Sequence, residues 1–238
     1  DHYENIFPIL VKENISACFY PIANPIIYNT VSDVNKIHFI LGSMKSFVNL
    51  KDEIFNILDI LRLEGLQIEP NENLFNTLAE KGRYDESVVI FFKRLLQHKL
   101  EKDLRSLIIN KLFNKYVTDN EAGFSNSLYL NKEKISEMLK FGMSFGNHTM
   151  SHPWLDKINK NEVQNEILNC FDFLNSFGVK DDQMTIAYPY GGYSNDVLDV
   201  VGKTKCKLGI TTYPALTSVN FSNRLTLERL DTNDVPTS

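Results

Sequence analysis

The sequence predicts an α/β fold, a parallel sheet or barrel carrying a helical insertion, on three observations. Short apolar runs bounded by turn residues alternate with amphipathic helical stretches near the start and through the second half, the pattern of parallel strands joined by crossover helices. Between these regions, from 33 to 117, only helical spacing is found. With 238 residues, 43% of them hydrophobic and 23% charged, the chain suffices for one or two buried cores. Disorder and collagen-like repetition are excluded. No apolar run approaches the roughly 18 residues that span a bilayer, so no membrane span is expected.

Taken in order, residues 3 to 13 read as a helix and Ile15 to Tyr20 as a strand stopped by Pro21. The insertion shows Ile54, Leu58 and Leu61 on one stripe, Val88, Phe91, Phe92, Leu95 and Leu96 on a second, and Leu104, Leu107, Ile108 and Leu112 on a third. Its breaks fall at Gly65, Pro70 and Gly82. After Gly123 the alternation resumes. Asn131 can cap a helix with Ile135, Met138 and Leu139 that ends at Gly142, and Met143 to Asn147 follows as a strand. A helix from about 161 to 177 precedes a strand over 184–188, and a helix over 195–202 precedes a strand over 208–212. Leu225 to Leu230 reads as a last strand. Catalytic groups are expected in loops at the strand carboxyl ends.

Composition narrows the function. The formal charge is −5 and the cations are spread along the chain, which argues against nucleic acid as a partner. Cys18, Cys170 and Cys206 are odd in number, far apart and set among apolar neighbours, so buried, reduced thiols are expected rather than disulfides or a zinc knuckle. A reducing, cytoplasmic location follows, and residues 1 to 30 lack the basic-then-apolar order of a signal peptide.

Two segments carry chemistry. Gly146 to Pro153 follows an expected strand and holds His148 and His152, four apart. In a helical turn the two imidazoles lie on one side, within reach of one metal, with Thr149 and Ser151 placed to orient the rings or bind substrate. The plainer reading is two surface histidines in a polar loop. The second segment, Ala187 to Tyr193, also follows a strand. Pro189, Gly191 and Gly192 force a tight turn whose amides can face a ligand oxygen, and Tyr188, Tyr190 and Tyr193 can stack on a sugar. Its plainer reading is a strand-to-helix turn with packed aromatics. Trp154 can line a sugar groove or sit in the core. Glu162 and Glu166 are assigned to a solvated helix face.

Together the two segments resemble the polysaccharide deacetylase family, the NodB homology domain of carbohydrate esterase family 4. His148-Thr149-Met150-Ser151-His152-Pro153 is similar to the family's His-Ser/Thr-x-x-His-Pro motif, and Tyr188-Pro189-Tyr190-Gly191 to its Arg-x-Pro-Tyr-Gly loop. The resemblance covers residue 1 to about 28 and about 124 to 236, with 33–117 inserted into a single deacetylase-like domain over 1–238. It implies a distorted (β/α)7 barrel of the glycoside hydrolase/deacetylase type. It also implies a metal-dependent hydrolase that removes N-acetyl groups from a carbohydrate. His148 and His152 would then bind a divalent metal, most simply zinc, and the Tyr190 backbone amide would form part of the oxyanion hole. Thr149, Tyr188, Pro189 and Trp154 would contact an acetylated carbohydrate. The insertion would offer a surface for oligomerisation.

Departures from the family pattern shape the alternative. The family's Asp-Asp-Gly motif, with its base and third metal ligand, would fall a few residues before Asp1, along with the first strand; Asp1 as the second aspartate requires a shortened helix. Ala187 stands where the family has an arginine that orients the base. The late His-Asp motif is not found, and the corresponding end offers Arg229 and Asp231, equally readable as a surface ion pair. A deacetylase-like module that binds carbohydrate without catalysis is therefore the alternative.

Overall fold

Five backbone segments of the computed structural model lie side by side in chain order, every pairing parallel. The structure describes residues 2–44, 46–80, 82, 85–218 and 224–235. It divides into two compact units, residues 1–32 with 122–238, and residues 33–121. The elements run α1 (Phe7–Lys12, preceded by a wider helical turn His2–Ile6), β1 (Cys18–Phe19) and α2 (Ala23–Tyr28). The helices α3 (Asp33–Ser43), α4 (Phe47–Leu63), α5 (Asn71–Leu78), α6 (Ser87–Arg94) and α7 (Lys102–Tyr116) follow. The chain continues through α8 (Glu121–Leu128), α9 (Lys132–Lys140), β2 (Ser144–Phe145), α10 (Lys160–Asn175), β3 (Thr185–Ala187), α11 (Asn195–Gly202) and β4 (Leu208–Ile210).

In the first unit β1 pairs with β2 and β3 with β4. Single parallel bridges, Asn147 to Ile186 and Ile210 to Leu227, join the pairs into one series. This is the parallel α/β arrangement the sequence predicts; closure into a barrel is not formed by the described residues. The strands are shorter than expected. Only Leu227 of the 225–230 run joins the series, because Thr217 Oγ1 donates to Glu228 O at 2.8 Å and Arg229 N turns to Tyr213 O at 3.1 Å. Two helices, α2 and α8, carry no periodic stripe long enough to be read. Cys170 and Cys206 are buried free thiols as expected, whereas Cys18, on the short β1, is exposed. Asp1 lies outside the described residues, as do 219–223 and 236–238.

Helix α10 organises this unit. Asn159 and Glu162 form a reciprocal capping box at its start, so Glu162 is an N-terminal cap partner rather than a bystander on a wet face. Its predicted stripe is buried on two sides. Val163, Ile167 and Phe171 pack with Leu155, Met184, Ile186 and Tyr188, while Cys170 and Leu174 pack with Phe19, Ile135, Met138 and Phe145. Each large apolar side chain so buried stabilises by about 1.5–3 kcal/mol before entropy is counted. Asn131 caps α9 as expected, accepting from Lys134 N at 2.8 Å, and Gly142 follows with φ of 82°.

The second unit is wholly helical among its described residues. Ile37, Ile40, Leu50, Ile54, Leu58, Leu74, Phe91, Phe92, Leu95, Ile108, Leu112 and Phe113 are buried at helical spacing. The rings of Phe55, Phe75 and Phe91 meet edge to face or tilted at 5.1–6.3 Å. Helix α4 ends beside Gly65 at φ of 95°, and Pro70 stands at the entry to α5, as the sequence predicts. No helix among the described residues is long and apolar enough to cross a membrane.

Candidate active site

The bridge at Asn147 brings the two motifs together. Asn147 N donates to Thr185 O at 2.8 Å and Ala187 N to Asn147 O at 3.0 Å, so the segments that follow leave neighbouring parallel strands at the same end. Just beyond, His148 Nδ1 lies 2.7 Å from Ala187 O. A carbonyl only accepts, so Nδ1 holds the proton and Nε2 keeps its lone pair for another partner. Ala187 thus contributes its backbone carbonyl to the histidine.

The histidines do not meet by a helical turn, as expected, but by a left-handed one. Thr149 has φ of 65° and His152 φ of 62°, conformations that a β-branched and a bulky residue rarely adopt. Polar contacts impose them. The buried Asn147 side chain accepts from Thr149 N at 2.9 Å and donates to Ile167 O at 2.8 Å. Thr149 Oγ1 accepts from His152 N at 2.9 Å. Glu166 accepts from Met150 N and Ser151 N, both at 2.9 Å, and from Ser151 Oγ at 2.6 Å. On the other side Ala23 N and Asn24 N at the start of α2 donate to Thr149 O and Met150 O. The outcome is a pair of imidazoles with ring centroids 4.6 Å apart at 78°.

Thr149 is fully buried and acts as a backbone brace. Glu166, expected on the wet face, clamps the histidine turn; it stands three residues after Val163 and four before Cys170, on the inward stripe, which is the sequence signal that marks it. Asn147 gives no comparable signal, since its role depends on the strand pairing.

Tyr190 adopts φ 56°, ψ 9°, in the turn that follows β3. Its ring lies between two partners, His152 at 4.6 Å and 77°, and Trp154 at 4.7 Å and 11°, the latter a stacked pair. The sequence-predicted residues His148, His152, Trp154 and Tyr190 therefore form one aromatic column. Gly191, at φ of 72°, follows; a Cβ there would stand 2.1 Å from Thr212 Oγ1, so the turn admits only glycine. Tyr188 is 2% exposed, and its hydroxyl donates to Leu225 O at 2.9 Å, so the residue read as a sugar contact stands in the core. Pro189 is likewise buried and fixes the turn.

Electrostatics favour neutral imidazole. Burial holds the His148 pKa below the ordinary histidine value and the Arg229 guanidinium adds to the lowering, while the bond to Ala187 O acts the other way. Arg229, at the end of the Leu227 segment, is thus close enough for its charge to be felt at His148. Its neighbour Asp231 accepts from Asn233 N and Nδ2 at 2.9 and 2.7 Å, which holds its carboxyl below the usual range. Two imidazoles suit a divalent cation, but among the described residues no group of three His, Cys, Asp or Glu side chains is placed to hold one.

Paired imidazoles and a strained, aromatic-braced turn thus stand at neighbouring strand ends, where parallel α/β folds carry their ligand sites. The polysaccharide deacetylase family model matches residues 108–209, which contain both segments, and over that stretch the chain is similar to the polysaccharide deacetylases. YxkH of Bacillus subtilis (strain 168), described as a candidate polysaccharide deacetylase, is 28% identical over 90 residues, 38% of this chain. The match spans about a third (32%) of YxkH. Among solved structures, Streptococcus pyogenes deacetylase PplD in complex with acetate aligns at 18% identity and a TM-score of 0.41, covering 91% of each chain. The deacetylase domain of BpsB from Bordetella bronchiseptica aligns at 11% identity and a TM-score of 0.49, covering 96% of this chain and 66% of that one.

Proposed function

We propose that this protein removes acetyl groups from an acetylated carbohydrate, an N-acetyl sugar first of all, on a barrel-type deacetylase scaffold. The observation that supports this most directly is the joined pair of motifs, with His148 Nδ1 committed to Ala187 O and its Nε2 left to face a ligand. His148 and His152 would hold a divalent cation, zinc being the simplest choice. When bound, such a cation polarises the amide carbonyl and an attacking water. The chain's own residues do the rest. The Ala187 carbonyl fixes the tautomer and aim of His148. Glu166, Asn147 and Thr149 hold the histidine turn, so the imidazoles need no reorganisation on binding. The Tyr190 turn, held between His152 and Trp154, presents backbone amide to the developing oxyanion, an interaction worth about 3–4 kcal/mol where such donors have been removed.

The test is metal content and acetate release from N-acetylated sugar oligomers. His148→Ala and His152→Ala should each lose bound zinc and cut acetate release by at least about a hundredfold. Unchanged metal content in either variant sinks the assignment. The lack of a third ligand among the described residues favours a second reading, a module that binds carbohydrate without turnover. Oligomer binding with no acetate release by the metal-loaded full-length chain would establish that reading in place of the first.

A further inference from the structure

The helical unit leaves large apolar side chains in water on two of its helices. On α4, Ile60 and Leu63 stand on the face turned away from the core, and Leu66 follows just beyond Gly65; Leu63 is 89% exposed. On α7, Leu107 is 57% exposed although the sequence places it on the buried stripe. Leucines gathered at a surface mark an interaction site rather than a core. The α4 end is also rigid. Leu66 N donates to Leu61 O at 3.1 Å, and Arg62 donates from Nε to Ile68 O at 3.0 Å and from Nη2 to Glu69 O at 2.6 Å. The loop after α4 is thereby folded back on the helix and loses little freedom on contact.

Charge indicates what covers these leucines. Residues 52–72 hold six carboxylates and one cation, Arg62, a formal charge of −5, whereas residues 93–115 hold seven cations and two carboxylates, a formal charge of +5. The two stretches already attract each other within the unit, where Lys115 pairs with Glu53 at 2.7 Å and Lys99 with Glu69 at 2.6 Å. Lys93 and Arg94 are taken by Asp85 and Glu80, and Arg62 by Asp59. Among the described residues, Asp52, Glu64 and Glu72 on the α4–α5 side and Lys102 and Lys111 on α7 are exposed and enter no ion pair. Two such lysines are too few for a nucleic-acid track. The Lys115–Glu53 seam lies at the surface, the lysine side chain being 55% exposed. Ile60 stands two turns along α4 from Glu53, and Lys111 and Leu107 one and two turns back along α7 from Lys115, so both apolar faces flank that seam. A two-fold axis through it lays α4 of each copy on α7 of the other, and each acidic face meets a basic one.

We infer that the helical unit is the interface of a homodimer, in which Ile60, Leu63 and Leu66 of each copy pack against Leu107 of the other and Glu64 faces the cation of Lys111. Sedimentation velocity with the full chain at about 100 μM tests this. The chain should be dimeric at about 0.1 M salt and at least about tenfold weaker in association at about 1 M, since the screening length falls from about 10 Å to about 3 Å. Leu63→Asp should abolish the dimer, and its exposure predicts an unchanged thermal midpoint, which separates a lost contact from a lost fold. Lys111→Glu and Glu64→Lys should each weaken association by about tenfold, and the two substitutions together should restore it, because the exchanged charges again oppose each other across the axis. A dimer that withstands Leu63→Asp, or a double variant that associates no better than the single ones, overturns the proposal. So does a monomer at both salt concentrations, which assigns the acid-rimmed leucines to a foreign, cationic partner instead.

Discussion

The helical unit and the α/β unit are built from the same amino acids under different rules. In the helical unit, the apolar residues fall at helical spacing on α3 to α7, and the helix breaks sit at Gly65 and Pro70. Among its described residues the left-handed backbone conformation is taken by Gly65, a residue for which it carries no steric penalty. In the α/β unit three bulky residues, Thr149, His152 and Tyr190, take that conformation, and all three belong to the two motifs. Each such residue costs about 1–3 kcal/mol, which persists only where the surroundings over-determine it. The buried side chains of Asn147 and Thr149 and the carboxylate of Glu166 supply that constraint at Thr149 and His152, and the Tyr190 ring packs against His152 and Trp154. Packing by volume holds one unit; named polar contacts hold the site of the other. The buried Lys36 is the helical unit's main exception, and it is satisfied on the spot by Glu121 at 2.8 Å and Asn110 at 2.6 Å.

The comparison is sharpened first at Phe91, which is 1% exposed and touches the rings of Phe55 and Phe75. If volume is what matters there, Phe91→Ala should lower unfolding free energy by about 3–5 kcal/mol, since it removes a buried ring and leaves a cavity. Phe91→Leu should cost far less, about 1 kcal/mol, because most of the volume is kept. Denaturant titration at constant slope separates the two. Similar losses for Leu and Ala would break the argument, since shape rather than volume would then govern the helical core.

Glu166→Gln makes the converse case, because it changes almost no volume. The amide has one acceptor oxygen in place of two and no charge, so the three donors on Met150 and Ser151 cannot all be served as before. A loss of about 1–3 kcal/mol is expected, together with weaker retention of any zinc bound at the proposed site. If Glu166→Gln unfolds like wild type, the histidine turn is held by packing after all.

What was legible in the sequence follows the same division. Helices whose apolar stripe exceeds two turns, such as α4 and α10, are readable because the 3.6-residue period is a local property, whereas on α7 Leu107 of the expected stripe is 57% exposed and Ile109 and Phe113 are buried instead. The histidine and tyrosine motifs were readable as residue types, and so was their place after strands. Their backbone shape was not. The left-handed turn at Thr149 depends on an asparagine that pairs across the sheet and on a glutamate that arrives from α10, contacts 2 and 15–16 residues away. Tyr188 shows the same limit: nothing local says that its hydroxyl ends on Leu225 O rather than at a ligand. Short α2 and α8 have too few turns to show a period, and the strands shrank to two or three residues because pairing, not propensity, sets their length.

The smallest effect lies on the surface, where the two units obey one rule. Exposed ion pairs such as Lys99 with Glu69 in the helical unit and Lys160 with Asp199 in the α/β unit are solvated and screened. Asp199 is the sharper probe, because hydrogen bonds from Lys160 at 2.7 Å and Lys203 at 2.8 Å bring its carboxyl down to about 2. The folded value is depressed, so the contribution is present above the unfolded carboxyl value near 3.9 and is lost as pH falls through about 2. Carbon-detected NMR titration should therefore find Asp199 half-protonated near pH 2, and Lys160→Ala should move that midpoint upward. A midpoint near 4 in the wild type would show that the bridge between α10 and α11 does not hold in solution, and that the polar contacts which matter in this unit are confined to the buried turn.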